Sequence, residues 1–142
     1  HYCEHVVQWI DHPTGLACKT MIDLLTADDR PTHADLKTTT DASDMTRAIE
    51  NYQYDLQAAM VDDALPGDDD VNHLLICQEK EKPYGVVVYD LREWLPRGRA
   101  LYRKALSIWQ RCQERNEWPG YEPGIRVARM PAYLRSPELG IS

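Results

Sequence analysis

The first forty residues alternate apolar and polar positions in three short segments, which predicts three β-strands. The segments are 4–10, 16–25 and 32–40; the first is rich in residues that favour strands, and the third has β-branched threonines near its end. His12-Pro13-Thr14-Gly15 separates the first two segments and reads as a turn, because Pro presets one backbone angle and Gly permits a positive one. The first two strands are therefore predicted to form a hairpin. A second turn is predicted over 27–31, before the third strand.

The spacing of apolar residues changes after residue 41 to that of a helix, which Ser43 or Asp44 can cap. The apolar stripe of this helix consists of Met45, Ile49, Tyr52, Leu56 and Met60. Pro66-Gly67 ends it, and two further strands are predicted over 71–78 and 84–89. A second long helix is predicted over 91–115, with a start after Pro96 as the alternative. Its predicted buried face consists of Leu101, Ala105, Ile108, Trp109 and Cys112. Residues 118–121 stop this helix, and the tail to residue 142 is expected to lie as extended coil over the body.

The order of three strands, a helix, two strands and a helix predicts an α/β or α+β fold. We expect a mixed central sheet of about five strands flanked by helices. A chain of 142 residues suits a single domain, 1–142. It begins with His1, so we expect it to be part of a longer protein. The sequence contains no apolar run long enough for a membrane span, which predicts a protein without a membrane partner. Four scattered cysteines, Cys3, Cys18, Cys77 and Cys112, are interpreted as buried free thiols of a cytoplasmic protein.

The net charge of -7 is divided unevenly along the chain. Residues 1–91 contain 6 Lys and Arg against 18 Asp and Glu, whereas residues 92–142 contain 10 against 5. The second long helix could therefore offer a phosphate-binding face while the whole protein remains acidic. The alternative is a solvated amphipathic helix with ordinary surface arginines. The candidate DNA-binding residues are Arg97, Arg99, Arg103 and Lys104.

The third predicted strand carries the triplet Asp35-Leu36-Lys37. Side chains alternate between the faces of a strand, so Asp35 and Lys37 point the same way. Asp23 lies near the end of the preceding strand, where strand pairing can bring it alongside Asp35. Two carboxylates and the backbone carbonyl of Leu36 form a hard-oxygen site that suits Mg²⁺ or Mn²⁺. Lys37, which we expect to face solvent, could orient an attacking water or stabilise developing negative charge. The alternative is a cross-strand salt bridge without a metal.

Other candidate groups have weaker support. His12, His33 and His73 have no second metal ligand at a useful spacing, so surface or packing roles are expected for them. The chain has no glycine-rich phosphate loop. The four tryptophans could stack on bases, but core or helix-end packing is the favoured interpretation.

The D…D-x-K pattern resembles the signature of the PD-(D/E)xK nuclease superfamily, and three further segments resemble its RecE exonuclease branch. The segment 14–19, TGLACK, resembles the TGxxCK that precedes the first acid in that branch. The segment 54–59, YDLQAA, resembles its helical YxxQAA motif, and 118–121, WPGY, followed by Pro131, resembles its closing segment. The resemblance extends from residue 4 to about residue 134.

The resemblance implies a restriction-endonuclease-like core and Mg²⁺-dependent hydrolysis of duplex DNA from its ends, 5′ to 3′, in phage or prophage recombination. Asp23 and Asp35 match the metal-binding acids, Lys37 the catalytic lysine, and Gln57 the glutamine that lies close to the active site. The implied partners are duplex DNA ends, a single-strand annealing protein and further copies of the chain in a ring.

The chain departs from the family pattern at two positions, with Val61 where a tyrosine is usual and Met21 where an arginine is common. Related nucleases also have an upstream helical region that supplies a His or Glu to the metal, so we expect this chain to be the C-terminal portion of a longer nuclease domain. The alternative function is a catalytically defective nuclease-fold module that binds DNA or a protein partner.

Overall fold

The computed structural model describes residues 1–27, 30–65 and 70–131. Its strands are β1 (Tyr2–Asp11), β2 (Leu16–Leu25), β3 (Thr32–Thr39), β4 (Asn72–Glu79) and β5 (Val86–Asp90). Its helices are α1 (Thr46–Tyr52), α2 (Tyr54–Ala64) and α3 (Leu95–Arg115), the last preceded by a 3₁₀ turn at Arg92–Trp94. The predicted turn at 27–31 and the predicted helix end at Pro66-Gly67 lie partly or wholly outside the described residues.

The five strands form one mixed sheet in the order β1-β2-β3-β4-β5. β1 and β2 form a long antiparallel hairpin, and β2 pairs with β3 at only two positions, Leu24 with Ala34 and Leu25 with His33. β3 and β4 are parallel over their full lengths, whereas β5 returns antiparallel to β4. A parallel pair needs a crossover connection, and α1 and α2 supply it. The predicted α+β fold with a five-stranded mixed sheet, as in a restriction-endonuclease-like core, is confirmed.

The core lies between the crossover helices and the centre of the sheet. Leu75 and Cys77 of β4 are fully buried, and they pack with Met45, Ile49 and Ala58 from the α1–α2 segment. Alternate residues of β4 are buried, as expected for a strand covered on one face. This packing holds α2 against the sheet beside β3.

The predicted continuous helix through residue 60 is wrong, because Gln53 adopts a left-handed conformation with φ of 55°. α1 ends there and α2 begins directly after it. The break changes which side chains face the core: Tyr52, predicted to be part of the buried stripe, is 70% exposed, whereas Asp55 is fully buried. Neither Gly nor Pro marks the break, so packing overrides the local helical pattern at this point.

α3 approaches α2 most closely at Gly98. A β-carbon at Gly98 would overlap the backbone carbonyl of Asp55, so glycine is required by the close approach of the two helices. The predicted buried face of α3 is confirmed at Cys112, which is buried, and wrong at Ala105, Ile108 and Trp109, which are exposed. The side-chain bonds from α3 to α2 come from its first half, at Arg97, Arg99 and Arg103, which leaves Ala105, Ile108 and Trp109 in contact with solvent.

The described part of the tail does not lie over the body as predicted. Residues 119–131 are exposed, including Tyr121 and Ile125. Residues 132–142 lie outside the described part of the chain. All four cysteines are free, and Cys3 is exposed rather than buried as predicted. In the ranges that the structure describes, the helices are too short or too polar to cross a bilayer.

Candidate active site

Asp23 and the third strand meet where the pairing of β2 with β3 stops. The Leu36 N–H donates to Asp23 Oδ2 at 3.2 Å, so the Asp23 side chain takes the place of the next backbone partner. The N–H and C=O of one strand residue point to the same side of the strand. The carbonyl of Leu36 therefore also faces the side on which Asp23 lies. One metal ion bound by both Asp23 and this carbonyl would require that arrangement.

Asp35 and Lys37 lie on the same face of β3 and form an ion pair, with 2.6 Å between Lys37 Nζ and Asp35 Oδ2. The side chain of Asp35 is only 6% exposed and that of Lys37 is 23% exposed. The expectation that Lys37 faces solvent is therefore wrong. Its ammonium is held in a largely enclosed site, where electrostatic interactions are stronger than on an open surface.

α2 covers these residues with two side chains one turn apart. The amide Nε2 of Gln57 donates to Asp35 Oδ1 at 3.3 Å. The ammonium of Lys37 lies 5.0 Å from the centre of the Tyr54 ring, within the range of a cation–π contact. Residues three apart share a helix face, so α2 presents both side chains to β3. Each oxygen of Asp35 thus has its own donor, Gln57 for one and Lys37 for the other.

Burial raises the pKa of Asp35 above its ordinary value. Lys37 opposes this shift through its hydrogen bond and its positive charge, whereas the negative charge of Asp23 raises the pKa further. The two carboxylates are thus close enough to repel each other. A divalent cation between them would remove this repulsion and favour the ionised form of Asp35.

The oxygen atoms available here fit Mg²⁺ or Mn²⁺. Mg²⁺ is usually bound through one or two carboxylates and keeps several waters. Asp23, Asp35 and the carbonyl of Leu36 would supply such a partial set of hard ligands. Within residues 1–27, 30–65 and 70–131, no group of three or more His, Cys, Asp or Glu side chains is arranged to hold a metal ion. The candidate site therefore depends on two side chains and one backbone oxygen.

A buried histidine pair lies beside the candidate site. His33 and His73 are 2% and 1% exposed, and their Nδ1 atoms are 3.1 Å apart. Burial and the neighbouring His73 lower the pKa of His33 to about 4, so it is neutral at pH 7. Nε2 of His73 lies 2.9 Å from an oxygen of Asp62, which ties β4 to α2. Surface or packing roles were predicted for these histidines, and their burial agrees with packing; their mutual contact had no signal in the sequence.

Three of the four candidate DNA-binding residues are paired with carboxylates inside the protein. Arg97 lies 2.6 Å from Asp55, and Arg99 contacts Asp62 and Asp63. Arg103 bonds both Asp63 and Asp11. Arginines of the basic second part of the chain therefore pair with carboxylates of the acidic first part. These ion pairs join α3 to α2 and to the β1–β2 hairpin. Lys104 is exposed, and contacts of these four residues with DNA stay a prediction.

The mixed sheet, with acids on β2 and β3 and a lysine two residues after the second acid, defines a nuclease-fold domain of the PD-(D/E)xK type. The chain belongs to the family described as a PDDEXK-like domain of unknown function (DUF3799), whose model matches residues 3–130. No curated protein matches the chain. The predicted superfamily is therefore confirmed, and the assignment to the RecE branch stays a prediction.

The structure brings together the four residues predicted as catalytic, which are Asp23, Asp35, Lys37 and Gln57. The contact of Tyr54 with Lys37 was missed, although Tyr54 belongs to the same helical motif as Gln57. Its position three residues before Gln57 was the available signal, because helix periodicity places both side chains on one face.

Proposed function

We propose that this protein is a divalent-metal-dependent nuclease that hydrolyses phosphodiester bonds in DNA. The observation that carries the proposal is the convergence of Asp23, Asp35, Lys37 and Gln57 at one end of the β2–β3 pairing. In the hydrolysis, the oxygen of water bonds to phosphorus, the bond from phosphorus to the leaving oxygen breaks, and that oxygen takes up a proton.

Each residue has a distinct part in this proposal. A bound Mg²⁺ or Mn²⁺ supplies Lewis-acid stabilisation of negative charge and lowers the pKa of water. Asp23 and Asp35 hold the cation, and Gln57 fixes the orientation of the Asp35 carboxylate through Oδ1. Lys37 lies beside Asp35 and stabilises charge on the phosphate, or orients the attacking water.

The finer features of the proposal come from the resemblance to RecE-type exonucleases. We propose that the substrate is the end of a duplex DNA, that degradation proceeds 5′ to 3′, and that the context is phage or prophage recombination in the cytoplasm. A single-strand annealing protein and further copies of this chain are the proposed partners. The TGLACK, YDLQAA and WPGY segments support this branch.

A second candidate function is a nuclease-fold module that binds DNA or a protein partner without cleaving. One observation favours it: in the described part of the chain, no third ionisable ligand joins the two acids. A cation bound by two carboxylates and a carbonyl depends on waters or substrate oxygens for the rest of its coordination.

The two functions are separated by incubating the chain with end-labelled linear duplex DNA in Mg²⁺ or Mn²⁺. Asp35→Ala and Lys37→Ala should each reduce cleavage by at least about a hundredfold, the loss typical when a group that stabilises transition-state charge is removed. Asp90→Ala, which removes an exposed acid of β5 away from the centre, is the matched control and should retain full activity. Closed circular DNA should resist an enzyme that requires ends.

Metal-dependent cleavage that Asp35→Ala abolishes supports the nuclease. DNA binding that is equal in the wild type and Asp35→Ala, with cleavage by neither, would refute the nuclease and support the module. Cleavage that survives Asp35→Ala would place the reaction elsewhere and contradict the proposed site.

A further inference from the structure

The ammonium of Lys37 has two contacts of different kinds. One is the ion pair with Asp35 Oδ2 at 2.6 Å, and the other is the face of the Tyr54 ring, 5.0 Å from Nζ to the ring centre. Asp35 is negatively charged, and a bound cation would neutralise part of that charge. The second is neutral and offers the negative face of its quadrupole whether or not a cation is present.

The ion pair alone cannot fix Lys37 during the proposed reaction. Lysine carries a compact charge on a flexible four-carbon chain, so its position is set by whatever surrounds the ammonium. Asp35 would share its charge with the divalent cation, and the attraction between Asp35 and Lys37 would then be weaker. A second contact that does not depend on Asp35 is needed to keep the ammonium beside the cation.

Tyr54 is well placed to provide that contact because its ring is itself held in position. It is partly buried and packs against the core cluster that includes Ile49 and Leu75. It also stacks on Tyr52, with 5.7 Å between ring centres. The left-handed residue Gln53 immediately precedes it and ends α1, so that α2 begins with Tyr54.

The break at Gln53 therefore sets the direction of the first turn of α2. Tyr54 and Gln57, three residues apart, both face β3, and they contact Lys37 and Asp35 respectively. Side chains from one turn of α2 thus contact both Asp35 and Lys37.

We propose that Tyr54 is a positioning residue for the reaction, whose ring face holds the Lys37 ammonium beside the metal-binding carboxylate. This inference rests on the proposed nuclease function. The aromatic ring of Tyr54 makes the contact with Lys37, and the phenolic oxygen is not needed for it.

The test compares Tyr54→Leu, which removes the ring, with Tyr54→Phe, which keeps it. Tyr54→Leu should lower kcat about tenfold, within the range expected for a partly desolvated cation–π contact, with little change in KM for DNA. Tyr54→Phe should restore kcat to near the wild-type value. Tyr121→Leu is the matched control, because it removes a similar ring contact, with Arg126 at 5.4 Å, in the tail.

A spectroscopic measurement reports on the contact without any turnover. In proteins labelled with ¹³C at the lysine ε-carbon, the ring current of Tyr54 should shift the ε-methylene protons of Lys37 upfield. The shift should persist in Tyr54→Phe and disappear in Tyr54→Leu. Circular dichroism and melting temperature establish that both variants are folded.

Loss of the shift together with a fall in kcat in Tyr54→Leu, both reversed by Phe, supports the inference. Cleavage that depends on Asp35 but is unaffected by Tyr54→Leu overturns the inference and leaves the proposed function intact. Equal losses in Tyr54→Phe and Tyr54→Leu also overturn it, because they would assign the effect to the hydroxyl. If the wild type shows no metal-dependent cleavage, the proposed function fails first, and the inferred role fails with it.

Discussion

Gly98→Ala tests whether the close approach of α3 to α2 holds the candidate site together. A β-carbon at Gly98 would overlap the Asp55 carbonyl and would lie 2.9 Å from the Leu56 nitrogen. Both obstacles are backbone atoms, so a rotamer change cannot relieve them. The helices would have to separate by about 1.5 Å to restore normal van der Waals distances.

Two effects of opposite sign determine the size of the change. Alanine is a better helix former than glycine in a helix interior and would stabilise α3 by about 1 kcal/mol. Overpacking costs about 3 kcal/mol when the surroundings cannot yield by side-chain movement. The expected net loss in the free energy of unfolding is about 2 kcal/mol, or about 8 °C in melting temperature for a chain of this length.

Urea denaturation and calorimetry measure this loss directly. Ser107→Ala, on the exposed part of the same helix, is the control for helix propensity alone and should leave stability unchanged or slightly higher. Because α2 carries Gln57, Gly98→Ala should also lower the rate of DNA cleavage below the melting temperature. A Gly98→Ala protein as stable as the wild type would refute the reasoning, since it would show that the α2–α3 contact accepts a methyl group.

Two further predictions concern buried polar groups. Because the pKa of His33 is lowered to about 4 in the folded protein from 6.5, the unfolded chain binds the proton more readily between these values. Stability should therefore fall by up to about 3 kcal/mol as pH drops from 6.5 to 4 in metal-free buffer, and His33→Gln should flatten this part of the pH profile of melting temperature. An unchanged profile would contradict the assigned pKa. Asp63→Ala should cost about 2 kcal/mol in urea denaturation, because Arg99 and Arg103 both lose a partly buried carboxylate. Asp90→Ala, which removes a surface pair with Arg92, should cost less than about 1 kcal/mol, and equal costs at the two positions would refute the distinction.

The succession of strands and helices along the chain and the acidic pair could be predicted from sequence because both depend on local patterns. β2 has the predicted bounds, Leu16–Leu25, since its apolar alternation ends at clear turn residues. Placing Asp23 on β2 and Asp35 on β3 was enough to expect them near each other. The position of Gln57 came from the YDLQAA motif rather than from periodicity.

The features that could not be predicted from the sequence depend on contacts between elements that are distant in sequence. The left-handed conformation of Gln53 follows from the packing of α1 and α2. Neither Gly nor Pro is present at this position to indicate it in the sequence. The arginines of α3 looked like a phosphate-binding face because their partners, Asp55, Asp62 and Asp63, lie some forty positions earlier. Sequence shows how many charges a helix carries, whereas only the fold shows which of them are neutralised.

The parallel pairing of β3 with β4 affects the order in which the residues of the candidate site come together as the chain is synthesised. The acids and the lysine are all present once residue 37 has been made, but Gln57 and Tyr54 reach them only when the α1–α2 crossover closes and β4 docks beside β3. Contacts of such sequence separation form late, since loop closure must precede them. A nascent chain that ends before β4 would hold Asp23, Asp35 and Lys37 without their contacts from Gln57 and Tyr54, so under the proposed function cleavage would begin only after the domain is complete.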